Sequence, residues 1–536
     1  MTVDSNASPH SADAFPASEA PAVTPTVSAQ SSWWNRLRRG CQRLFDPIDN
    51  GWLVYFRILF GIEMLWTVWK HYDGFRLEFN IRNPFLFKYW GFEWVQPLPE
   101  VWMWFLLGVL GVLSIFIILG LLYRISMMLF FVGFTYLFLM NQTNYLNHFY
   151  LVCLLALVMI FVPAHQSFSI DALLRPRIRS ATAPMWAFWL LRIQVAIPYF
   201  FGGIAKINQD WLRGEPMHLW LSEASSEFPG SLGGFFETWE AAYLFSYGGL
   251  FYDLLIVPMI LWRRTRLLAY AVTIFFHMMN TQLFQIGIFP WLMMLGTLIY
   301  FPPQVPRKLL SRFTQVSPVR LEARASSSLM SHQKTILSVL GLYLAFQCLF
   351  PLRHHLYPGY VSWTEEGHRF SWHMMLRSKR GIAFFYAYEP STGRALQLDA
   401  LGYLNPRQMT RHADQPKMIQ QFAEFLANEP QIQAEVQRRG LNGRLEIRVD
   451  GWVSINGRYP QRLVDPYADM SQQPNDLRHA SWIVPLSEPL RDQSWGVNHK
   501  GWQEFYLSRP QIYNTDWEHQ VGAASSLTIS QRPVTQ

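Results

Sequence analysis

Between residues 52 and 352 the chain is a succession of apolar runs broken by short polar stretches. A helix that crosses a bilayer needs about 20 apolar residues. Runs of that kind stand near 52–69, 101–122, 126–141, 148–163, 184–204, 247–262, 267–284, 286–302 and 333–352. VWMWFLLGVLGVLSIFIILGLLY (101–123) is too long and too uniformly apolar for a soluble core. The pattern predicts nine spans, with 267–302 also readable as a re-entrant hairpin. After residue 353 the pattern changes. QPKMIQQFAEFLANE (415–429) has apolar residues at helical spacing, RLEIRVDGWVSI (444–455) alternates like a strand, and NGR (456–458) reads as a turn. The expected fold is a polytopic α-helical membrane bundle (32–352) followed by a soluble, largely β (α+β) outer domain (353–520). Tails at 1–31 and 521–536 read as disordered.

Composition fits that division. Of 536 residues, 50% are hydrophobic, 16% aromatic and 15% charged. A soluble domain carries about 25% charged residues, so the mean hydropathy of +0.06 averages two unlike parts. Three cysteines and no C-x-x-C exclude a disulfide scaffold, a four-cysteine zinc site and dithiol redox chemistry. The net charge of +8 matters through its placement. The basic clusters are 36–43, Arg124, 175–180, 263–266 and 306–312. With nine spans and an inside N-terminus, all fall on the cytoplasmic side, and the region after 353 lies on the outer side. The charge thus marks orientation, not a nucleic-acid partner. WWNRLRRGCQR (33–43) suits a surface of anionic lipid headgroups.

Polar residues inside the spans are the chemical signal, because an unpaired ionisable group in hydrocarbon is costly. They are Arg57, Glu63, Asn147, His148, Arg192, Lys206, Asp253, His277, Asn280 and Gln282. Arg57, Glu63 and Arg192 read as structural. In the nine-span topology His148, Lys206, Asp253, Asn280 and Gln282 lie at about one depth near the outer surface, where a pocket could take a lipid-borne reactant from the bilayer and a polypeptide from outside. Each also has a plain structural alternative. Lys206 could snorkel to the interface, His148 could cap its helix, and Asn280 and Gln282 could join helices.

Several segments together resemble a known family. They are NHFYLVCLLALVMIFVPAHQSFSID (147–171), RIQVAIPYFFGGIAKINQDWLRGEPM (192–217) with its G-x-x-K-x-x-x-D-W core, and FHMMNTQLFQIGIF (276–289). SWHMMLRS (371–378), GYLNP (402–406), WVSINGR (452–458), QRLVDP (461–466) and SWIVPL (481–486) continue the series. In this order, over about 45–490, the chain resembles the vitamin K-dependent γ-glutamyl carboxylases, in the form of a bacterial-type, HTTM-domain membrane protein.

The resemblance implies a coupled oxygenase. Reduced vitamin K (phylloquinol or menaquinol) reacts with O2 to give the 2,3-epoxide. A strong base formed on the way removes a γ-proton from a peptidyl glutamate, and CO2 adds to give γ-carboxyglutamate. It further implies that Lys206 is the first base. That role needs a neutral amine, which burial favours. Asn147 and His148 would hold the quinol oxygens, with His277, Asn280 and Gln282 as further donors in the same pocket. The negative charge of Asp253 would hold Lys206 as an ammonium, so direct contact between them is not expected. Asp210 and Trp211 read as local structure. Trp363, Ser371, Trp372 and Arg377 match the family's glutamate region, where Arg offers a carboxylate a fork of donors. His368, Arg369 and His373 depart from the animal pattern there. No metal is required, and no H-E-x-x-H occurs.

The partners implied are a glutamate-containing protein on the outer face, a lipid quinone and the membrane itself. That membrane is a bacterial inner membrane, or the endoplasmic reticulum if the source is eukaryotic. Two other readings stay open: a quinol epoxidase that carboxylates nothing, and a non-enzymatic membrane protein (peptide export or immunity) on the same bundle.

Overall fold

The computed structural model describes residues 29–73, 83–284, 286–313, 329–495, 499–510 and 512–513. The tails expected at 1–31 and 521–536 lie outside the described residues, except 29–31. These open helix α1 (Ala29–Arg43), which exposes Trp33, Trp34 and Leu37 beside its arginines.

All nine apolar runs fold as helix. They are α2 (Gly51–Asp73), α3 (Glu100–Leu119), α4 (Tyr123–Leu139), α5 (Asn147–Phe161), α6 (Met185–Ala205), α7 (Trp239–Leu261), α8 (Arg266–Leu283), α9 (Phe289–Gly296) and α10 (Ser331–Leu349). Five of them, α2, α3, α6, α7 and α10, are long and apolar enough to cross a membrane. The expectation of nine spans is thus met by five among the described residues. α4, α5 and the stretch Phe289–Tyr300 are apolar but shorter, and α8 does not join the five. Polar residues are the reason at α8, which carries His277, Asn280 and Gln282 in its last two turns.

Large apolar side chains cover the outside of the bundle. Phe105, Val132, Phe275 and Leu342 are all more than half exposed, as lipid-facing positions would be. Inside, Phe60, Met64, Leu110, Phe130, Leu151, Phe188 and Leu191 share one core. Arg57 donates to the Phe168 carbonyl at 2.6 Å, and Arg192 to the carbonyls of Ile299 and Phe301. Both therefore hold backbone in place, as expected of structural residues.

Among the described residues the C-terminal region has one four-stranded antiparallel sheet. Its strands are β1 (Lys379–Glu389), β2 (Arg394–Gln397), β3 (Glu446–Ile455) and β4 (Gln461–Arg462), in the order β2-β1-β3-β4, with Lys379 opposite Ile455 and Tyr388 opposite Glu446. Helix α11 (Pro416–Asn428), foreseen from its periodicity, buries Met418, Ile419, Phe422 and Leu426 against that sheet. A largely β domain is therefore only partly realised. The sheet is small, one face is covered by helix, and long irregular segments complete the unit. Asn456 and Gly457 both take positive φ after β3, the backbone a tight Asn-Gly turn requires.

Candidate functional site

One cavity is lined from both halves of the molecule. The bundle contributes Asn147, His148, Lys206, Asp253, His277 and Asn280, and the outer region contributes His368, Arg369, Arg377, Arg411 and Gln415. Phe276, Phe289, Ile286, Met293, Trp211 and Trp220 form its apolar wall.

Helix α6 sets the position of Lys206, which caps its C-terminal end. The glycines just before it allow α7 to come close. A Cβ on Gly203 would stand 2.6 Å from Leu254 Cδ2, and one on Gly202 would stand 3.3 Å from Asp253 Oδ2. This approach puts Lys206 Nζ 2.6 Å from Asp253 Oδ2, with both side chains buried. The expectation that these two groups stay apart is overturned. A buried charge without a partner costs several kcal/mol, and in this buried corner the two groups satisfy each other. Trp211 covers the pair, its ring centroid 5.2 Å from Lys206 Nζ and its Nε1 donating to the Ser246 carbonyl at 2.7 Å.

Lys206 therefore does not snorkel; it is 5% exposed. His277 is 1% exposed. Its Nε2 lies 3.0 Å from the Tyr199 hydroxyl, while Nδ1 is buried with no hydrogen-bond partner among the described residues. His148 packs between Phe149 and Phe289. Asn147 accepts from the Tyr145 hydroxyl at 2.9 Å and donates to the His373 carbonyl at 3.2 Å, so it joins the bundle to the outer segment. Gln282 is exposed and does not line the cavity. It is five positions beyond His277, which turns it away from the wall that His277 faces.

The glutamate-side expectations separate as well. Arg377 lines the cavity and pairs with Glu365 at 2.9 Å. Trp363, Ser371 and Trp372 do not line it. Trp363 donates to the Val484 carbonyl and lies 5.6 Å from Lys379 Nζ, which in turn pairs with Glu365 at 3.2 Å. Ser371 donates to the Gly367 carbonyl and accepts from Arg353. Trp372 is fully buried in the bundle core against Tyr150. These three hold the segment that presents Arg377. Among the described residues, four of the seven non-glycine residues with positive φ, Glu365, Phe370, Trp372 and Met375, fall in that segment. Such strain persists where surrounding contacts over-determine it, often at functional sites.

Sequence reasoning missed Arg411 and Gln415 altogether, and Arg369 and His368 stood out only as departures. Arg369 donates to Gln415. Burial keeps the His368 imidazole well below its ordinary value and takes His373 down to about 3, so both are neutral. Asp210, read as local structure, has a larger role. It takes two hydrogen bonds from Arg458, at 2.7 Å each, and one from Asn456 at 2.8 Å. It thus fastens the outer domain to the bundle four residues beyond Lys206.

The lining suits an aromatic ligand that carries hydrogen-bonding oxygens, as a quinol does. The walls are aromatic and apolar, and the buried Nδ1 of His277 lacks a partner that a ligand oxygen would provide. Among the described residues no group of three or more His, Cys, Asp or Glu side chains is arranged to hold a metal ion.

Comparison with known families follows the same two halves. Residues 45–304 match the HTTM domain, and residues 332–489 match the vitamin K-dependent gamma-carboxylase, lumenal domain. No solved structure matches the chain.

Proposed function

The chain belongs to the vitamin K-dependent γ-carboxylase family, and from that premise we propose that it converts peptidyl glutamate to γ-carboxyglutamate. The reaction is coupled to oxidation of a reduced vitamin K to its 2,3-epoxide, with O2 and CO2 as co-substrates. The observation that carries this reading is the shared cavity. A buried lysine and a set of imidazole and amide groups face it from one matched region, and guanidinium groups face it from the other.

When bound, the quinol supplies the reducing equivalents and, with O2, the strong base that no side chain can provide. The protein's own groups do the rest. His148, Asn147, His277 and Asn280 hold and orient the quinol oxygens and stabilise negative charge there. Lys206 accepts the first proton. Its contact with Asp253 means that the amine and carboxylate act as a pair: Lys206 serves as base when the proton resides on Asp253 or when the pair opens. Trp211 and the aromatic wall keep water from both. Arg377 receives the substrate carboxylate, placed by the Glu365–Lys379–Trp363 chain of contacts. The cavity lies towards the outer face, as the basic clusters on the opposite loops support.

The test is incubation of purified protein with reduced vitamin K, labelled bicarbonate and a glutamate-rich peptide. Label in the peptide together with epoxide is expected. Epoxide without label would replace this reading by the quinol epoxidase, for which the departures at His368, Arg369 and His373 are the motive. Neither product would remove both enzymatic readings.

A further inference from the structure

The outer wall of the cavity holds more positive charge than one substrate carboxylate needs. Arg369, Arg377 and Arg411 line it, and behind them Lys379 and the carboxylates of Glu365 and Asp414, which do not line it, complete one interacting group. Four cations against two carboxylates leave a net +2 in a largely buried place. Glu365 is shared between Arg377 and Lys379. Among the described residues no carboxylate lies within ion-pair distance of Arg369 or Arg411, and both line the cavity. Burial pushes the Asp414 carboxyl up to about 6, so it is ionised at neutral pH and the balance holds. The neighbouring His368 and His373 are neutral and change nothing.

Buried cations without counter-charge are costly unless an anion joins them. We propose that Arg369 and Arg411, with Arg377, form a dianion site that takes a geminal dicarboxylate. This rests on the carboxylase reading and deepens it. A bound glutamate side chain carries −1. Loss of a γ-proton to the base leaves the electron pair on the γ-carbon and a total charge of −2. That pair then forms the new bond to CO2, and the product keeps −2 on two carboxylates attached to one carbon. A +2 wall matches both charged states better than it matches the monoanionic substrate. Its stabilisation is therefore directed to what forms during the reaction. Three guanidinium forks also offer enough donors for four carboxylate oxygens.

Malonate is the probe, with propionate as its monoanionic counterpart. Titration of the detergent-purified full chain with each, followed calorimetrically, gives the preference without any variant. Malonate is expected to bind roughly tenfold or more tightly than propionate, since each added charge-assisted contact is a substantial gain. Arg411→Gln is expected to reduce that preference and Arg411→Lys to retain part of it, both judged against unchanged size-exclusion profiles. Equal affinity for the two acids in the unmodified protein overturns the dianion site. The peptide-labelling assay is read separately. Label without malonate preference leaves the carboxylase reading and removes this inference. Malonate preference without label keeps the site and removes the carboxylase.

Discussion

Lys206 Nζ lies 2.6 Å from Asp253 Oδ2, inside a corner closed by Trp211. Removing one partner of such a buried pair leaves an uncompensated charge and costs about 3–5 kcal/mol. Lys206→Met alone should therefore destabilise the bundle, and Lys206→Met with Asp253→Asn should recover much of the loss in thermal melts. Lys206→Arg keeps a cation beside Asp253 but cannot give up its proton. It should keep the fold while lowering quinol epoxidation by about 10²–10⁴-fold. Epoxidation that persists in the Arg variant would move the base from Lys206 to Asp253.

Asp210 and Arg458 join the two halves of the cavity, and both are more than nine-tenths buried. Arg458→Ala should loosen the outer domain, lowering Tm and exposing it to limited proteolysis. The two activities should then separate. Epoxidation depends on groups of the bundle, whereas carboxylation also needs Arg377 and its neighbours in place. Misplacement by about 1 Å can cost roughly 10²-fold, so label incorporation should fall much more than epoxide formation. An equal fall in both would show that the contact supports only the bundle.

The sequence showed some of this and concealed some. Helix positions were readable because apolar runs are a one-dimensional signal, as α2, α3 and α6 show. The grouping of His148, Lys206 and Asn280 was readable because the expected topology puts them at about one depth, whereas Asn147 and His277 joined them only through the family resemblance. The Lys206–Asp253 contact was not, since it depends on two glycines allowing α7 to approach α6. Arg411 was hidden for another reason. It stands 34 residues beyond Arg377 and reaches the cavity only through packing of the outer domain. Gln282 was misplaced because depth along a helix says nothing about which way a side chain faces.

His277 and Tyr199 form a second pair that can be tested. The contact between the Tyr199 hydroxyl and Nε2 admits either tautomer; with the hydroxyl as donor the ring proton sits on Nδ1, where it can be donated to a bound ligand oxygen. Tyr199→Phe should weaken this preference and raise KM for the quinol by about tenfold, the worth of one hydrogen bond, with kcat less affected. His277→Ala should produce the same KM effect without further loss when combined with Tyr199→Phe. Additive losses would mean that the two residues act independently.

Glu215 gives a dependence on pH with a definite sign. Burial raises its carboxyl from 4.5 to about 7. Ser494, which donates to it, and Arg458 oppose the shift, Asp210 adds to it, and His218 stands 3.8 Å away. The folded chain thus holds this proton between about 4.5 and 7, where the unfolded chain has released it. Stability is kept in full below that window and falls as pH rises through it. Glu215 sits beside the Asp210–Arg458 contact, so the loss should appear first as undocking of the outer domain. Asp414, raised to about 6, contributes in the same direction, so the informative quantity is a difference between proteins. Tm measured across the window should decline more steeply for the unmodified chain than for Glu215→Gln, which carries no charge at any pH. Parallel curves would show that Glu215 does not carry this proton.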